Sequence, residues 1–148
     1  MQRESEMTDR TGSAQWQGDL QGGAGTVRVG EGVFEGAYSF RSRFEEGTGT
    51  NPEQLIAAAH AACFTMALSN ILSSAGHVPE SVHTDANVHL RFIDGAPTIA
   101  RIDLDTQGQV PGIDAEQFQK FAEDAKANCP VSRALAGVPE IVLTARLG

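Results

Sequence analysis

The chain has 148 residues, enough for one domain with a real core, and its 41% hydrophobic and 20% charged residues are the balance of an ordinary globular protein. Eleven basic residues against 19 acidic give a formal charge of −8, with lysine only at Lys120 and Lys126. Without a basic run, nucleic acid and acidic lipid surfaces are poor candidates as partners.

Residues 1–12 are polar and patternless and read as a disordered tail, leaving 13–148 as a single domain. The opening Met1-Gln2-Arg3-Glu4-Ser5-Glu6 has no apolar run, so no secretory signal is expected and the reducing cytoplasm is the default compartment. Ala14–Gln17 and Gly25–Val29 read as short strands between glycines, and Ala37–Phe44 as a third strand with Arg41 and Arg43 on one face. Thr50-Asn51-Pro52-Glu53 is a dense helix-start signal, with Thr50 and Glu53 as a capping box and Pro52 in the first turn. A long helix follows to about Ala75 and stops at Gly76. Leu55, Ile56, Phe64, Met66, Leu68, Ile71 and Leu72 point in several directions around it, as in a central helix, and His60, Thr65, Ser69 and Asn70 make it a buried helix rather than a membrane span.

From Val82 to Phe92 apolar and polar residues alternate, the pattern of a half-buried strand with Val82, Thr84, Ala86, Val88, Leu90 and Phe92 inward. Asp94-Gly95 predicts a hairpin turn and Thr98–Gln107 the returning strand. Asp114 caps a second helix whose face is Phe118, Phe121, Ala122 and Ala125. That helix breaks at Asn128-Cys129-Pro130, Val131–Leu135 makes a further turn, and Glu140–Leu147 closes as a strand. The order βββ-α-ββ-α-β predicts an α+β fold.

Chemistry rests on two cysteines. Cys63 lies mid-helix in an apolar run, where a thiol is often a small packing residue. Cys129 precedes Pro130 at a helix start, where free backbone N–H groups favour a thiolate. His60 shares a helix face with Cys63. A metal site with His77, His83 or His89 lacks any paired ligand element, so His60 is read as a hydrogen-bonded core histidine, and the face of His83 and His89 as solvated. Gly22-Gly23-Ala24-Gly25 has no following helix and is no phosphate loop. On position alone, the cysteines remain either packing atoms or a redox pair.

Three segments tip that balance. Thr50-Asn51-Pro52-Glu53-Gln54-Leu55, Ala58-Ala59-His60-Ala61-Ala62-Cys63-Phe64 and Asn128-Cys129-Pro130-Val131-Ser132 together strongly resemble the OsmC/Ohr family of osmotically inducible and organic-hydroperoxide-resistance proteins. Trp16-Gln17-Gly18, Phe40–Phe44, Val110-Pro111-Gly112-Ile113-Asp114 and the His60 of Ala-His-Ala-Ala-Cys resemble the OsmC branch. The likeness runs from about Ser13 to the end.

The resemblance implies antiparallel sheets around long central helices, an intertwined homodimer, and a cysteine-based peroxidase reducing organic hydroperoxides to alcohols in stress defence. It implies Cys63 as the peroxidatic thiol, Cys129 as the resolving thiol, and Arg43 and Glu53 as the arginine and glutamate of the site. Arg41 is the neighbour that could be confused with Arg43, and Glu53 also serves as a helix cap. An external dithiol, of dihydrolipoyl type by the resemblance, would complete the cycle without metal, haem or flavin. The residue types suit this: an ordinary thiol of pKa about 8.5 is mostly protonated at neutral pH, and a guanidinium held by a carboxylate favours the thiolate. Glu53 and Cys63 are ten residues apart on one helix, about 15 Å along its axis, so they meet only across a two-fold axis near Ala58. The rival readings are a thiol redox sensor or binding protein without turnover, and a structural stress protein with inert core cysteines.

Overall fold

A computed structural model describes residues 9–148. Of the tail expected over 1–12, the first eight residues lie outside the described residues, and Gly12 already opens the first strand. Two compact units follow one another in the chain, the first ending at Pro52 and the second spanning Glu53–Gly148.

The first unit is an antiparallel sheet of β1 (Gly12–Gln17), β2 (Ala24–Val29) and β3 (Phe34–Tyr38), followed by a short helix α1 (Phe40–Phe44). Gly25 is paired with Trp16 on one side and Tyr38 on the other, and the two rings meet over it with centroids 5.3 Å apart. A Cβ there would sit 2.5 Å from the Tyr38 ring, so only glycine admits this cross-strand aromatic pair. The expected strand over Ala37–Phe44 is corrected: it ends at Tyr38, and Arg41 and Arg43 lie on α1. Ser39 and Ser42 form a reciprocal capping box, the Ser39 N–H donating to Ser42 Oγ at 2.9 Å and the Ser42 N–H to Ser39 Oγ at 3.1 Å. This local competition ends the strand where β-propensity alone would extend it.

The second unit is built on α2 (Pro52–Ser74). The helix starts one residue later than a Thr50 cap requires, so Asn51 occupies the capping position, its Nδ2 donating to the Ser42 carbonyl at 2.8 Å. It ends as expected at Gly76, whose φ of +91 allows the N–H of Gly76 to reach the Ser73 carbonyl (3.0 Å) and that of His77 the Leu72 carbonyl (2.8 Å). By length and composition α2 could cross a bilayer; its stripe His60, Phe64, Leu68 and Leu72 is fully buried, but only 22% of its apolar stretch is buried within the chain, less than the central helix expected.

β4 (Ser81–Ile93) and β5 (Ala96–Gln109) form the predicted hairpin, turning on Asp94 and Gly95, both at positive φ. Alternation holds from Val82 to Val88. A register shift at His89/Leu90 then leaves Ala100 without a partner on β4, and Phe92, expected inward, is 72% exposed. α3 (Ala115–Asn128) and α4 (Pro130–Ala134) lead to β6 (Ile141–Leu147), which pairs with β5 in parallel, giving the order β4-β5-β6 and making this sheet mixed rather than wholly antiparallel. The core joins Phe64, Leu68 and Leu72 to Phe118, Ala122 and Ala125 of α3 and to Leu104 of β5.

Candidate active site

Cys129 owes its position to the proline after it. The residue before a proline is pushed out of helical conformation, and Cys129 has φ −60 and ψ 131. It closes α3, its N–H donating to the Ala125 carbonyl at 2.9 Å, and opens α4, its sulfur accepting the Ser132 N–H at 3.4 Å. Cys63 comes from the middle of α2. The two sulfurs lie 2.9 Å apart, although 66 residues separate them in the chain, and both are free thiols.

Their environments differ. Cys129 has no accessible surface, whereas Cys63 is only partly buried. Burial opposes ionisation of Cys129, but the Cys63 S–H, the backbone N–H and hydroxyl of Ser132, and the Val131 N–H outweigh it and hold Cys129 below the ordinary thiol value. Burial, and then donation of its proton to Cys129, push Cys63 above that value, against the N–H of Val131 and the charge of Arg133. The two shifts run in opposite directions, so Cys129 is the more readily ionised thiol of the pair. Behind Cys129, His60 Nε2 lies 2.7 Å from Ser132 Oγ, which places His60 as the hydrogen-bonded core histidine expected. Ser132 and Arg133 were not singled out from the sequence. The helix-start signal of Asn-Cys-Pro marks only Cys129, and the contacts of its α4 neighbours depend on where α2 passes.

Glu53 is buried in the first turn of α2, ten residues before Cys63 and so about 15 Å away along the axis. Arg43 lies in the first unit, on the wall of a cavity of about 330 Å³ formed with Trp16, Leu20, Tyr38, Phe40 and Phe44. Its guanidinium carbon stands 5.3 Å from the centre of the Phe44 ring. Arg41 pairs instead with Glu45 at 3.5 Å. Among the described residues no group of three or more His, Cys, Asp or Glu could hold a metal ion. His83 faces Asp85 at 3.2 Å and His89 faces Asp103 at 2.9 Å on the sheet.

Residues 45–144 match the model of the OsmC-like protein family. The chain belongs to the OsmC-like family. It is 49% identical over 127 residues to the peroxiredoxin OsmC of Escherichia coli (strain K12), covering 85% of this chain and 89% of that protein. It is 35% identical over 99 residues to the organic hydroperoxide resistance protein of Xanthomonas axonopodis pv. citri (strain 306), covering 66% and 68%. In three dimensions it resembles the crystal structure of the organic hydroperoxide resistance protein OhrB of Bacillus subtilis, with a TM-score of 0.70, 26% identity and coverage of 93% and 98%. The OsmC-like α+β fold expected from the three motifs is therefore the fold this chain has.

Proposed function

We propose that this OsmC-like protein is a thiol peroxidase that reduces organic hydroperoxides to alcohols in oxidative or osmotic stress defence, in the cytoplasm, with residues 13–148 acting as one domain. Its relatives' names support a peroxidase-type role. The observation that carries the reading is the thiol pair itself: two sulfurs at 2.9 Å, one accessible and one fully buried.

The difference in accessibility supports the roles proposed for the two thiols. A hydroperoxide meets Cys63 and not Cys129. When Cys129 is ionised its sulfur, 2.9 Å away, can take the Cys63 proton, which leaves Cys63 as the thiolate nucleophile. It attacks the terminal oxygen, the O–O bond breaks, and the leaving alkoxide takes the proton from Cys129 to become the alcohol, leaving a sulfenic acid on Cys63 and a thiolate on Cys129. The Cys129 thiolate attacks that sulfur; the S–O bond breaks, the departing hydroxide takes a proton from a solvent acid to leave as water, and a Cys63–Cys129 disulfide forms. An external dithiol returns both thiols, supplying two electrons and two protons, and the family likeness favours a dihydrolipoyl donor. Arg43 is assigned to stabilise the thiolate and the departing alkoxide, and Glu53 to orient the guanidinium. The 15 Å between Glu53 and Cys63 favours a homodimer in which Glu53 of one protomer lies opposite Cys63 of its partner. Ala58, Ala59 and Ala62 are exposed around the required axis and are small enough for close helix approach.

The test is consumption of cumene hydroperoxide with a dithiol reductant. Cys63→Ser should abolish turnover, and Cys129→Ser should retain sulfenic acid formation but lose the disulfide. A wild-type protein that forms the disulfide once and never turns over with any dithiol would favour the redox-switch alternative.

A further inference from the structure

His60 alone among the four histidines is fully buried, and the peroxidase chemistry above gives it no task. Its Nε2 lies 2.7 Å from Ser132 Oγ, while Nδ1 is buried with no hydrogen-bond partner. A proton on Nδ1 would be a buried, unmatched N–H, which native proteins rarely tolerate, whereas a bare ring nitrogen is a milder loss. The ring therefore carries its proton on Nε2 and donates it to Ser132 Oγ. With its lone pair engaged, the Ser132 hydroxyl has its own hydrogen left to give. The backbone N–H of the same Ser132 already donates to Cys129 Sγ at 3.4 Å, so the sulfur lies in the turn toward which the hydroxyl hydrogen can rotate, and the hydroxyl is among the groups that favour Cys129 as an anion.

We propose that His60 and Ser132 form a buried positioning arm that turns the Ser132 hydroxyl hydrogen onto Cys129 Sγ, keeping Cys129 the thiolate that closes the disulfide. The inference rests on the two-cysteine reading above. In the closing step the Cys129 sulfur attacks the Cys63 sulfenic sulfur, the S–S bond forms as the S–O bond breaks, and the departing hydroxide takes up a proton from a solvent acid and leaves as water. The arm transfers no proton; it fixes which way the hydroxyl points. Without it the hydroxyl is free to turn away, Cys129 gains a proton more readily, and the sulfenic acid on Cys63 waits longer. It is then open to a second hydroperoxide molecule, which would carry it to the sulfinic acid.

Single-turnover mixing with cumene hydroperoxide separates sulfenic acid formation from disulfide closure. A charge-assisted hydrogen bond lost from the thiolate predicts closure about tenfold slower in His60→Leu and Ser132→Ala, relative to sulfenic acid formation. Intact mass should show more sulfinic Cys63 in both. His60→Gln keeps an amide N–H near the position of Nε2 and should recover most of the closing rate, which a purely packing role would not predict. A second readout needs no hydroperoxide: in glutathione redox buffer, Ser132→Ala should move the thiol–disulfide equilibrium about tenfold toward the disulfide, because the reduced form loses its stabilised thiolate. It also decides the matter if His60→Leu fails to fold. Ser132→Ala matching wild type in both closure and equilibrium overturns the arm. A wild-type protein that forms no disulfide with hydroperoxide overturns the peroxidase reading instead, while the glutathione equilibrium still judges the arm.

Discussion

At the scale of single residues, proton placement dominates. Burial holds the His60 ring below its ordinary value of about 6.5, so it stays neutral where the unfolded chain would take up a proton. The sign follows: the stability it contributes is full above about pH 6.5, declines as the pH falls from there, and is gone at the folded pKa. Urea midpoints measured from about pH 7.5 down to about pH 5 should therefore fall more steeply for wild type than for His60→Gln, which has no ring to protonate. Equal slopes would show that the buried ring is not what titrates. The two thiols follow the same logic with opposite displacements. Cys129 is lowered by its donors despite its burial, and Cys63 is raised by burial and by giving its proton away, so their pH effects on stability partly cancel.

At the scale of elements, close approach sets the geometry that puts Cys129 where it is. The Phe118 ring of α3 lies against the β5 backbone at Gly108, where an added Cβ would come within 2.6 Å of the ring. Gly108→Val should displace Phe118 and cost about 2 kcal/mol or more in urea unfolding. Because α3 ends on Cys129, the variant should also slow disulfide closure; wild-type stability would mean that the contact is not tight. The elements also show where reading a sequence succeeds and fails. Asp94-Gly95 and Gly76 were legible because each takes a positive-φ backbone conformation that few residues can adopt, and Asp114 because its short carboxylate accepts the Gln117 N–H at the start of α3. The α1 helix was not, because two serines capping each other outweighed a strand-like run of aromatic and apolar residues. Nor was the outward turn of Phe92, since the register shift beside it depends on pairing with a strand ten residues away.

At the scale of the whole molecule, what stands out is apolar surface left uncovered by a single chain. Met66 on α2 is 76% exposed, and beside it Ala61, Ala62, Thr65 and Val82 line an open groove. Among the described residues of the first unit, none of the buried side chains is hydrophobic; Ser42 and Asn51 are the buried ones. On the proposed dimer reading, a second copy covers the Met66 groove. Met66→Arg should then shift the protein to monomer by light scattering and remove peroxidase activity along with it, since the site would be shared between protomers. A fully active Met66→Arg monomer would sink the shared-site model.

By itself the sequence determined most of the elements, the stop of the long helix at Gly76, the Asp94-Gly95 hairpin turn, and the two cysteines as the residues worth watching, because these depend on local backbone preference and short periodicity. Three short motifs were enough to place the chain in its family. Only the tertiary structure decided that Cys63 and Cys129 meet, that one is accessible and the other sealed, that Ser132 and His60 stand behind the sealed one, and that β6 runs parallel to β5. Those are relations between segments far apart in the chain. They follow from how α2, α3 and the mixed sheet close around one core, and no local pattern encodes that closure.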